Sequence, residues 1–154
     1  MNVIQGEHSA PPQGRFALIA ARFNDFIVQH LIDGARDTLL GHGVAPADID
    51  LIRVPGAFEI AQAADRAARS GRYVAVVALG CVIRGATPHF DYVADAAASG
   101  LARTAHASGI PVLFGVLTTD DVDQAMERAG GKAGNKGADA ALAAIEMVDL
   151  WKRL

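Results

Sequence analysis

Gly80-Cys81-Val82-Ile83-Arg84-Gly85-Ala86-Thr87-Pro88-His89 brings glycines, a cation, a hydroxyl and an imidazole into one short stretch of chain. Gly80 through Thr87 has the spacing of a phosphate-cradling loop, G-x-x-x-x-G-K-[ST], with Ala86 in the lysine position. Without that lysine the β- and γ-phosphates of a nucleotide lose their point charge, which argues against nucleotide hydrolysis. Thr87 is a good N-cap and Pro88 suits the first helical position, so a helix N-terminus is predicted here. Its free N–H groups, with Gly85, would hold a phosphate; a plain capped turn is the bland alternative. His89 follows in the first turn of that helix, beside the anion site, where an imidazole is placed to carry protons near pH 7. His8, His30, His42 and His106 have no such setting and read as structural or solvated.

Two further stretches carry candidate chemistry. Arg128-Ala129-Gly130-Gly131-Lys132-Ala133-Gly134-Asn135-Lys136-Gly137 interleaves glycines with cations. That pattern suits an oxyanion contact with Arg128 forked onto phosphate oxygens, or, equally, a solvated helix end with cations at the negative pole of its dipole. In Pro55-Gly56-Ala57-Phe58-Glu59, the Glu59 carboxylate either caps its own helix or accepts hydrogen bonds from a polyol; the residues alone leave that choice open.

The elements that position these groups can be read from the apolar pattern. Phe16–Ala21, Leu51–Val54, Tyr73–Leu79 and Val112–Leu117 are near-continuously apolar and rich in β-branched residues, as strands covered on both faces are. Helical periods separate them. Val28, Leu31, Ile32, Ala35 and Leu39 mark the first, stopped by Gly41 and Gly43. Phe58, Ala61, Ala64 and Ala68 mark the second, and Phe90, Val93, Ala97 and Leu101 the third. Asp120–Ala129 reads as a short fourth helix, and Leu142, Ile145 and Val148 anchor a fifth. The alternation predicts a three-layer α/β/α sandwich around a four-stranded parallel sheet with right-handed crossovers. In such sheets ligands bind beyond the carboxyl ends of the strands, where the candidate clusters fall. Phe23, Phe26, Phe58, Phe90 and Phe114 lie in or beside those segments, so most of the scarce aromatic surface is expected near that edge. Ahead of the first strand, Asn2–Gln5 is a brief strand-like run that either joins a sheet, its own or another subunit's, or frays.

Composition narrows the class. The 154 residues fit one domain, 51% hydrophobic and 20% charged, which excludes intrinsic disorder. No apolar run reaches the roughly 18 residues of a membrane helix, and none opens the chain as a signal peptide would. The lone Cys81 can form no internal disulfide, and there is no cysteine pair to hold zinc. A net charge of −3 argues against a nucleic-acid partner. The expectation is a soluble, cytoplasmic domain. Its 31 alanines and nine aromatic residues require elements to approach closely if water is to be excluded.

Arg22-Phe23-Asn24, Pro55-Gly56-Ala57-Phe58-Glu59, Gly80 through Val93 and Lys132-Ala133-Gly134-Asn135-Lys136-Gly137 together resemble the 6,7-dimethyl-8-ribityllumazine synthase family, in its order and spacing. The resemblance spans nearly the whole chain. It implies a single flavodoxin-like domain over residues 1–154, with 1–14 an extended arm whose strand adds to a neighbouring subunit's sheet. It also implies the penultimate step of riboflavin synthesis, in which 5-amino-6-(D-ribitylamino)uracil condenses with 3,4-dihydroxy-2-butanone 4-phosphate, releasing phosphate and water. No metal or organic cofactor is implied. By the resemblance, Phe23 stacks on the pyrimidine, while Ala57, Phe58, Glu59, Cys81, Val82 and Ile83 hold the pyrimidine and ribityl chain, with Glu59 on the ribityl hydroxyls. Gly85, Ala86 and Thr87 bind the butanone phosphate, and His89 is the proton-transfer group. Phe114, Arg128 and Lys136 match residues that an adjacent subunit contributes, Arg128 on the phosphate. Homopentamers follow, and the short 130–137 linker, lacking an insertion, points to twelve pentamers in an icosahedral shell, with riboflavin synthase a candidate partner. One departure is Ala61, where many members carry proline; alanine suits a first helical turn equally well. Two rival classes are a non-catalytic lumazine or flavin binder and a flavodoxin-like FMN protein. Retention of His89 and Arg128 argues against the first, and the 128–137 segment is unexplained by the second.

Overall fold

The computed structural model describes residues 1–154. In chain order it contains β1 (Phe16–Ala21), α1 (Asp25–Gly41), β2 (Ile49–Val54), α2 (Ala57–Ala68), β3 (Ala75–Ile83), α3 (His89–Ser108) and β4 (Val112–Thr119). A short α4 (Val122–Arg128), a small hairpin of β5 (Ala129–Gly131) and β6 (Gly134–Asn135), and α5 (Lys136–Arg153) complete it. The main sheet has the order β2-β1-β3-β4, and every pairing is parallel.

Every residue of β1 is buried, because successive side chains point to opposite faces and helices cover both. Phe16, Leu18 and Ala20 join Val28, Leu31 and Ala35 of α1 and Ala144, Ile145 and Val148 of α5 in one core. Ala17, Ile19 and Ala21 join Ile60 and Ala64 of α2 and Leu101 of α3 in the other. The three-layer expectation therefore holds.

Small residues set the spacing of these layers. A Cβ on Gly100 would come within 2.5 Å of the Ala61 methyl, so α2 and α3 nearly touch there. A Cβ on Gly137 would lie 2.0 Å from the Leu31 carbonyl oxygen, which fixes the start of α5 against α1. Ala61 is the fifth residue of α2, so it lies beyond the first turn in which the sequence reading placed it.

Three expectations need correction. Strand β3 runs to Ile83 rather than stopping at Leu79, because Gly80, Cys81, Val82 and Ile83 pair with Val116, Leu117, Thr118 and Thr119. Half of the supposed phosphate-loop spacing is thus extended strand, and only Arg84 to Pro88 forms a loop. The helix after it begins one residue later than expected: Pro88 stands at the cap position and no side chain caps it, so Thr87 is not the N-cap. Pro88 already has helical dihedrals, and its carbonyl accepts from Asp91 N–H at 3.0 Å. Helix α4 is confined to Val122–Arg128 rather than Asp120–Ala129, capped by the Asp121 carboxylate on Gln124 N–H, and Ala129 already belongs to the hairpin that follows.

Of the readings open for the N-terminal run, addition to its own sheet is set aside. Asn2–Gln5 pairs with no strand of its own sheet. Instead the arm crosses α5, where Glu7 N–H donates to Asp149 at 2.9 Å and Arg153 reaches Glu7 at 3.3 Å. His8 lies 3.6 Å from Glu146, and buried Gly6 leaves no room for a side chain over the Glu146 carbonyl.

Candidate active site

Three strand-to-helix turns meet at the carboxyl edge of the sheet. After β1, the backbone pairing with β2 continues into the turn: Arg22 N–H donates to the Val54 carbonyl at 2.8 Å and Phe23 N–H to that of Pro55 at 3.0 Å. This holds Phe23 beside the β2–α2 turn, with the residue 71% exposed. Asn24 then adopts the left-handed conformation, φ 59°, the only residue other than glycine with positive φ. That conformation is sparsely populated and asparagine tolerates it better than most residues. Its side-chain amide donates to the Cys81 carbonyl at 2.9 Å, tying the β1–α1 turn to the end of β3.

The turns enclose a cavity of about 480 Å³, within the range of small-molecule sites. Phe23, Asn24 and Gly56 line one side, Cys81, Val82 and Ile83 the floor, and Gly85, Thr87, His89 and Phe90 the other side. Glu59, in the first turn of α2, lies beside Gly56 with its carboxylate on the cavity, at a helix end that favours negative charge. The Cys81 side chain is buried, and burial pushes its thiol up to about 11. It is a neutral wall group at physiological pH rather than a nucleophile. His89 is the first residue of α3, exposed and facing the cavity, with no hydrogen-bond partner of its own. The arrangement can take a flat ring against Phe23, hydroxyls at Glu59, an anion near Gly85 and Thr87, and a proton at His89.

Of the residues singled out from sequence, Phe23, Ala57, Glu59, Cys81, Val82, Ile83, Gly85, Thr87 and His89 meet here. Phe58 and Ala86 belong to the same segments but do not line the cavity, and Phe58 turns outward at the surface. Phe114 departs from expectation. It is the third residue of β4, opposite Ala78, and therefore lies toward the amino end of the sheet rather than the carboxyl edge. Arg128 ends α4, where its guanidinium donates to the Gln124 carbonyl at 3.0 Å; Lys136 begins α5 and is exposed. Neither reaches the cavity of its own chain.

Asn24, Arg84 and Phe90 belong to the motifs named from sequence, but no site role was assigned to them there. Asn24 carried a weak signal, since asparagine straight after an apolar strand suits a left-handed turn. Arg84 stacks its guanidinium 4.3 Å from the centre of the Phe90 ring, and no local pattern announces that contact.

A parallel sheet of this order, with a ligand cavity across the carboxyl ends of its central strands, defines a flavodoxin-like α/β protein built to hold a small molecule. The family model described as 6,7-dimethyl-8-ribityllumazine synthase matches residues 13–152. A 6,7-dimethyl-8-ribityllumazine synthase from Halorhodospira halophila is 57% identical over 154 residues, covering 100% of this chain and 99% of the relative. The chain belongs to the 6,7-dimethyl-8-ribityllumazine synthase family.

Proposed function

We propose that the cavity condenses 5-amino-6-(D-ribitylamino)uracil with 3,4-dihydroxy-2-butanone 4-phosphate to 6,7-dimethyl-8-ribityllumazine, the penultimate step of riboflavin synthesis. The observation that carries this reading is the convergence of Phe23, Glu59, Gly85, Thr87 and His89 on one cavity. Each group has a task in the reaction. Phe23 stacks on the pyrimidine ring, and the Cys81-Val82-Ile83 wall and the Ala57-Phe58-Glu59 segment align the ring and its ribityl chain. The 85–87 loop holds the butanone phosphate until it leaves. His89 moves protons during Schiff-base formation, phosphate elimination and ring closure. Holding two substrates in register supplies much of the rate, since it replaces a bimolecular encounter by an oriented one.

The single chain supplies no unpaired cation to the phosphate. Phe114, Arg128 and Lys136 lie outside the cavity, and in this reading a neighbouring copy presents them, Arg128 forking onto the phosphate. The assembly is a homopentamer, and twelve pentamers form an icosahedral shell, with riboflavin synthase a candidate partner and the cytoplasm the location. The Asn2–Gln5 run adds to a neighbour's sheet at edge strand β2, where Leu51 is exposed beside a groove of about 210 Å³. No helix is long and apolar enough to cross a membrane.

Mixing the protein with both substrates tests the activity: fluorescent lumazine product accumulates in proportion to enzyme. A protein that binds added lumazine but forms none from the two substrates is a storage protein, and the proposal fails.

A further inference from the structure

Arg84 immediately precedes the 85–87 loop, yet its charge is already committed. Its backbone N–H donates to the Thr119 carbonyl at 2.8 Å, continuing the β3–β4 pairing by one residue. Its Nε donates to Asp120 Oδ1 at 3.0 Å, just beyond β4, and its Nη1 to Asp91 Oδ1 at 3.5 Å, in the first turn of α3. The guanidinium plane also covers the Phe90 ring, whose other surroundings include the cavity. One side chain thus joins the two elements that bound the loop and the strand beside them.

Two carboxylates on one guanidinium leave a local charge that repels an anion rather than attracting one. The planar fork explains the choice of arginine, because it bonds in two directions while stacking on a ring, and a lysine ammonium does not. We propose that Arg84 is a positioning residue, which fixes the Gly85–Thr87 loop and Phe90 for the phosphate-bearing substrate without touching the phosphate. The proposal rests on the reading of that loop as the phosphate site.

Steady-state kinetics on the assembled enzyme separates bracing from direct charge. Arg84→Gln raises KM for the butanone phosphate about tenfold and lowers kcat, as a small misplacement of binding groups does. KM for the pyrimidine stays within about twofold, because Phe23 and Glu59 are held by other turns. Arg84→Lys, which keeps the charge and loses the fork, falls with Arg84→Gln; recovery of wild-type KM by lysine overturns the brace. Asp120→Asn gives the opposite signs in the two accounts. Loosening a brace raises KM for the phosphate substrate, whereas releasing an anion-binding arginine lowers it and strengthens inhibition by inorganic phosphate. The second result overturns the proposal even if the Arg84 variants fold poorly. Gly85→Ala isolates the underlying reading, since a Cβ there meets nothing within 4 Å in the chain and leaves the chain's own packing intact while projecting toward the bound ligand. An unchanged phosphate KM in Gly85→Ala overturns the loop's role, and with it the proposal. A raised KM there with wild-type kinetics in Arg84→Gln overturns the brace alone.

Discussion

Phe23 and Phe114 are both phenylalanines left at the surface of a protein with few aromatic rings, 71% and 43% exposed, but they stand in different settings. Phe23 sits on a turn fixed from two sides, by β2 pairing and by Asn24 on the Cys81 carbonyl, and borders a cavity with Glu59 and His89. Phe114 sits within edge strand β4, on the amino-terminal side, and does not line that cavity. The same contrast separates His89, aimed into the cavity, from Arg128, whose guanidinium is turned back onto its own helix. One region is a formed pocket without a free cation; the other is a set of exposed aromatic and cationic groups that do not line it. In the proposed function the two regions are halves of one site, brought together only between copies.

The contrast can be broken at either half. His89→Ala should produce the largest change, slowing turnover by roughly 10²- to 10⁴-fold, the range expected when an acid–base group is lost. Single-turnover product fluorescence measures it, and unchanged turnover removes His89 from the mechanism. Arg128→Ala should act mainly on the phosphate substrate, raising its KM by roughly 10- to 100-fold, as loss of charged hydrogen bonds does, with a smaller change in kcat. An unaltered KM for that substrate would detach Arg128 from the site. The smallest effect is expected at Cys81. Burial raises its thiol to about 11, so the group stays protonated and unreactive until the pH approaches that value. Treatment with iodoacetamide near neutral pH should leave activity within about a tenth of untreated enzyme, and rapid inactivation would mean that the cavity floor opens.

What could be read from the sequence follows the physics of each segment. Strand β1 was legible because a strand buried on both faces has to be apolar throughout, and Phe16–Ala21 is. The carboxyl-edge clusters at Phe23, Glu59 and His89 were legible for the same reason, since strand ends are marked by the change from apolar to polar residues. Gly80 misled: a glycine after an apolar run reads as a turn, but here a Cβ would meet Ile60 at 2.9 Å, so the glycine serves packing inside a continuing strand. The β5–β6 hairpin is too short and glycine-rich for any periodicity to announce it. The position of Phe114 depends on register, which is set by pairing with β3 and not by local composition. Likewise the bonds from Arg84 to Asp91 and Asp120, and those from Asn24 to Cys81, join residues brought together only by the fold.

The most direct test of two half-sites joined between copies is complementation. His89→Ala and Arg128→Ala chains, each assembled alone, should both be impaired. When the two are co-expressed in equal amounts and mix at random, about one quarter of the sites should pair an intact His89 with an intact Arg128 from the neighbouring copy. Recovery toward a quarter of wild-type activity is the predicted result. Activity equal to the average of the two single variants would mean that each chain completes its own site, and would contradict the account.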